Sequence, residues 1–65
     1  MTAARRWWLT LTHEEQNLWR SHIVDHVLAP PQLERINDEN PWPMWAETTA
    51  VAVAYEAHLD DRNHP

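Results

Sequence analysis

The stretch "TTAVAVAYEAHL", Thr48 to Leu59, carries two patterns at once. Its valines and alanines alternate as they would on a strand, with Val51, Val53 and Tyr55 on one face and Ala50, Ala52 and Ala54 on the other. Its alanine content points the other way, because alanine is the strongest helix former and is depleted in strands. No turn residue interrupts the chain between Met44 and Asp60, and an apolar segment of that length suits a helix and overruns a typical strand. The segment therefore predicts a helix over 43–60.

At about 100° per residue this helix is apolar on two sides. Met44, Trp45, Val51, Ala52, Tyr55 and Leu59 fall on one, and Ala46, Ala50, Val53, Ala54 and Ala57 on nearly the opposite one. Polar seams run between them, Glu47 with His58 on one edge and Thr49, Glu56 and Asp60 on the other. The face of larger residues is expected to pack on the preceding long helix. The small-residue face would let a neighbouring backbone approach to the lower end of the roughly 8–10 Å range of helix separations. Three covers for it are open: the chain's own Trp7 and Trp8 folded back, a second copy of the chain, or a different protein.

Upstream, Asn40-Pro41-Trp42-Pro43 pins the chain, since a residue before proline is pushed toward extended geometry. Trp42 is thus placed outside the helix. Thr12-His13-Glu14-Glu15 is a capping box, in which the threonine hydroxyl serves the Glu15 amide and the Glu15 carboxylate reaches back. It opens a helix over 12–29, ended by Pro30, with Trp19, Ile23, Val24, Val27 and Leu28 on one broad face. Between the two long helices, 31–37 reads as a short helix with proline at its first position, tucking Leu33 and Ile36 beneath them. Residues 61–65 are a tail. In the N-terminal arm, 1–11, Trp7, Leu9 and Leu11 alternate with Trp8, Thr10 and Thr12. That suits a strand only if a partner strand exists; otherwise the arm is extended and lays its tryptophans across the helices. The expected fold is a single all-α small helical domain. It has two longer helices in an antiparallel hairpin, a short helix between them and an extended aromatic N-terminal arm.

Composition narrows the function. A chain of 65 residues buries only about 60% of the surface its unfolded form exposes, and such domains usually add disulfides, a metal or a second chain. With no cysteine, disulfides and thiolate metal sites are excluded. Five arginines and no lysine stand against ten acids, for a formal charge of −5. A nucleic-acid binder needs a basic surplus to displace counterions, so the balance argues against nucleic acid and against anionic membranes, and favours a basic partner. No apolar run approaches the roughly 18 residues needed to span a bilayer, and no secretory segment is evident; the expected location is cytoplasmic. Turns must be made without glycine, which is absent. The five histidines could, if all were protonated, cancel the formal charge, so solubility or self-association is expected to change near pH 5–6, about where free imidazole titrates.

Little in the chain suits catalysis. The sole serine, Ser21, is adjacent to His22 on a helix, where neighbours point about 100° apart, and no glycine is present for a phosphate loop. His22 and His26 have the four-residue spacing that puts two imidazoles on one face, with Glu15 on the same stripe and Asp25 beside it. The metalloprotease pattern needs glutamate directly after the first histidine, where Ile23 stands. A solvated polar row is the simpler expectation, and no metal or cofactor is assigned.

The expectation is a non-catalytic protein–protein interaction module. Candidate contact residues are Trp7, Trp8 and Trp42 on irregular segments, Ala46, Ala50, Val53, Ala54 and Ala57 on the small face, and the acidic corners Asp38 with Glu39 and Asp60 with Asp61. Its size and charge resemble those of products that phages and mobile elements use to block a host nucleic-acid-handling or defence complex. One alternative is a homo-oligomeric structural or assembly subunit. Another is a small regulator touching nucleic acid by stacking Arg5, Arg6, Trp7 and Trp8 on bases.

Overall fold

The computed structural model describes residues 1–38 and 42–63, with Asn37 and Asp38 described by backbone alone. The described residues are all-α: α1 (Ala3–Trp8), α2 (His13–His26), α3 (Pro30–Asp38) and α4 (Met44–Asn63). The stretch Thr48–Leu59 lies wholly within α4.

The N-terminal arm is not extended. Thr2 caps a short helix, its hydroxyl accepting from the Arg5 amide at 3.1 Å, and two alanines follow as strong helix formers. The alternation of Trp7, Leu9 and Leu11 falls on the end of α1 and the turn after it, where Thr10 and Leu11 donate to the carbonyls of Trp7 and Trp8. Those local bonds occupy the backbone groups that a strand would have offered to a partner. Six residues cannot hold a helix alone; α1 is held by docking on α4. Met1, Thr2 and Arg5 lie by Met44, Thr48 and Val51, while Trp7 reaches Tyr55 and His58, so α1 lies along α4 from its first turn toward its middle.

α2 opens with the expected capping box. The Glu15 amide donates to Thr12 Oγ1 at 3.1 Å and the Thr12 amide to Glu15 Oε1 at 3.0 Å. The Thr12 amide and hydroxyl hold the Glu15 carboxyl below its ordinary pKa. Gln16 is buried beneath this turn, and its side-chain amide donates to the Trp8 carbonyl at 3.0 Å. The Trp8 carbonyl thus accepts from both the Leu11 amide and Gln16, and the second bond ties α1 to α2. α3 begins one residue before its expected start, with Pro30 first, and the Gln32 side chain accepts from the Ala29 amide at 2.9 Å. The Arg35 guanidinium lies 5.0 Å from the centre of the Trp45 ring. α4 continues past the expected end at Asp60 to Asn63.

The core takes up most of the small-residue face of α4, with Val51 from the other face, and its cover is the chain's own Trp8, one of the three covers left open. Ala46, Ala50 and Ala54 are 0% exposed and Trp8 only 1%, and the buried cluster joins Trp8 and Ile23 to Ala50, Val51 and Ala54. On the face of larger residues, Met44 is 70% exposed, and Ala52 and Leu59 also face solvent. A tryptophan ring needs room that only small opposing side chains leave, so the largest side chain of the core and the alanines select each other. Burying one aromatic side chain of 150–250 Å² contributes up to about 4–6 kcal/mol at 25 cal/mol/Å².

α2 joins α4 through charge as well. Arg20 Nε donates to Glu47 Oε2 at 2.9 Å and Nη2 to Oε1 at 2.8 Å, while Nη1 donates to Asn17 Oδ1 at 2.7 Å. The guanidinium also sits 5.7 Å from the centre of the Trp8 ring. This two-pronged pair holds the Glu47 carboxyl below its usual range, against the opposing pull of partial burial, and raises Arg20.

Candidate functional site

Most residues expected to meet a partner on the alanine face are committed inside the chain. Trp8, Ala46, Ala50 and Ala54 are buried, so the cover over the small-residue face is the chain's own Trp8 with Ile23. Val53 and Ala57 are half-buried. Trp7 is half-buried and stacks on the His58 imidazole, with ring centres 4.6 Å apart and planes at 24°, and lies 5.7 Å from Tyr55. Arg5 is half-buried, leaving Arg6 as the exposed basic group of α1. The Arg/Trp arm therefore presents no open pair of rings on which bases could stack.

Trp42 is half-buried and lines an open depression of about 370 Å³ with Asn17, Arg20, Ser21, Val24 and Asp25. Its indole N–H, like that of Trp45, is buried without an acceptor among the described residues. Asp60 and Asp61 are exposed at the end of α4. The Asp38 side chain and Glu39 lie outside the described residues.

Among the described residues, two exposed apolar surfaces stand out that were not singled out from the sequence. One is a groove of about 310 Å³ between the chain start and α4, where Met1 and Met44 stand out over Thr2, Arg5, Thr48 and Val51. The other lies on the outer side of α2, an open depression of about 460 Å³ lined by Glu15, Leu18, Trp19 and His22. Leu18 is 66% exposed there. Trp19 meets His22 edge-on at 5.6 Å, and His22 meets His26 at 5.1 Å, so three rings climb one side of the helix. The spacing i, i+3, i+4, i+7 that aligns Glu15, Leu18, Trp19 and His22 is readable in the sequence. Leu18 escaped notice because it lies about 140° around the helix from Ile23, outside the arc assigned to the core.

The α2 surface lies on a helix anchored at two places. The capping box and the Gln16–Trp8 bond fix its first turn, and Arg20 ties its middle to α4. Ligand chemistry is sparse: no group of three or more histidine or carboxylate side chains converges among the described residues. No helix among them is long and apolar enough to cross a membrane. Comparison with protein-family models, curated proteins and solved structures gives no match.

Proposed function

We propose that the chain is a non-catalytic protein-interaction module that acts by occupying a partner's surface. The carrying observation is Leu18, a two-thirds exposed leucine held on a capped helix beside the Trp19 and His22 rings. An apolar anchor next to an aromatic one, on a helix already ordered, is the arrangement in which little freedom is lost on docking. The contact surface moves from the alanine face of α4 to the outer side of α2. The net charge of −5 favours a basic rim on the partner. It keeps the phage- or mobile-element-type inhibitor of a host nucleic-acid-handling or defence complex as the class to test first, working in the cytoplasm, where a cysteine-free chain loses nothing to the reducing conditions.

Affinity capture from host lysate with wild type and Leu18→Asp in parallel tests the reading. A protein recovered by wild type and lost by the variant supports it. Equal recovery by both, or a protein lost only on Met44→Asp, removes the α2 surface from the proposal. The alternative of a homo-oligomer is the less favoured reading, because Trp8 covers Ala50 and Ala54 from within the chain.

A further inference from the structure

The histidine pair on α2 stands at the separation that i, i+4 spacing gives two side chains on one helix face. His22 and His26 are both exposed, and their ring centres stand 5.1 Å apart with planes at 43°. Two imidazoles bound to one tetrahedral zinc ion through bonds of about 2.0–2.1 Å have ring centres about 5 Å apart. The separation of the two rings is thus compatible with two ligands to one ion, and Trp19 packs edge-on against His22.

One chain supplies only those two ligands. The Glu15 carboxylate is engaged with Thr12 in the capping box. Asp25 lies three residues from His22 on a neighbouring stripe, yet it does not join the pair in a group of three. No third ligand converges among the described residues. A zinc ion held by protein alone takes four ligands, and a two-fold pairing of α2 with α2 supplies four imidazoles from two chains, because an isologous contact presents the same patch twice. Each chain carries a formal charge of −5, so bare pairing is opposed by like charge, and a divalent cation between the chains offsets part of that repulsion.

We infer that His22 and His26 form half of a zinc site, completed by the same two residues of a second copy, so that zinc links two chains through their α2 helices. This stands apart from the docking reading, since it is measured on the purified chain with no partner present. The test is titration of the chelator-treated chain with zinc chloride at neutral pH, following heat and, by light scattering, molar mass. The expected result is one zinc per two chains and a doubling of mass that EDTA reverses and magnesium, a hard oxygen-seeking ion, does not produce. His22→Gln and His26→Gln each abolish the doubling, while His13→Gln leaves it. Both pair residues are exposed, so the variants keep the wild-type helical circular dichroism. Absence of a zinc-dependent mass change, one ion per chain on a monomer, or doubling that survives either substitution overturns the inference.

Discussion

At the scale of single residues, the decisive partnership is Trp8 with the alanines of α4. Ala50 has no exposed surface and faces the Trp8–Ile23 cluster, so added volume there must displace a ring with nowhere to go. Ala50→Leu is expected to destabilise the fold by about 1–3 kcal/mol, seen as a lower urea midpoint; Ala52→Leu, on the exposed side of the same helix, should leave the midpoint nearly unchanged. The opposite ranking would mean that the alanine face is open and that the large residues are inside. Ala46, Ala50 and Ala54 were legible as a continuous small-residue face, with the chain's own tryptophans as one of three possible covers, but the choice among the covers was not. Periodicity locates a face without saying what lies on it, and the size match to a tryptophan 42 residues earlier in the chain than Ala50 is a tertiary fact. Leu18 shows the converse limit: its exposure follows from where α2 turns its back on α4, which no local pattern in α2 specifies.

At the scale of elements, helices with signals inside their own sequence were legible, and those stabilised by contact were less so. The capping box of α2 is a four-residue pattern with a local mechanism, and it forms as expected. α1 lacks such a box, is too short to be stable alone, and exists because Trp8 and the Gln16 bond dock it; its sequence alternation therefore misled toward an extended arm. Thr12→Ala removes the hydroxyl acceptor of the Glu15 amide and should cost about 0.5–2 kcal/mol, read as a lower thermal midpoint. The α2–α4 junction also makes a pH prediction. The Arg20 guanidinium holds the folded-state pKa of Glu47 below its ordinary value. Its contribution to stability is therefore present above the unfolded carboxylate pKa, about 4.3, and is lost as pH falls through the lowered folded value. Stability measured by urea unfolding should fall from about pH 5 downward in wild type. In Glu47→Gln the fall should be shallower, with Glu15, also lowered by its cap, supplying the remainder. Identical slopes in the two proteins would show that the Arg20–Glu47 pair does not couple folding to protons.

At the scale of the whole molecule, the alanine face is covered from within and the formal charge is −5, so like-charge repulsion opposes pairing of bare chains. In chelator-containing buffer its molar mass should stay that of a monomer as concentration rises, a result that would separate it from oligomers built on a small-residue seam. Zinc changes the accounting by joining two chains through the side of α2 that also carries Leu18 and Trp19. His22 belongs to both surfaces, since it lines the Leu18 depression and faces His26. A chain paired through its histidines would therefore bury the surface proposed for docking, and the two events should compete. In a capture experiment, zinc added before the lysate is expected to lower recovery of any partner lost on Leu18→Asp. His26→Gln should resist that effect, because it removes the pairing ligand while leaving every residue lining the depression intact. Recovery unaffected by zinc in wild type would place partner and metal on different faces. A zinc effect that persists in His26→Gln would locate the competing ion elsewhere on the chain. With the metal-linked form as a reserve, the free docking surface would be set jointly by protein concentration and available zinc, through the mass action that links any dimer to its monomer.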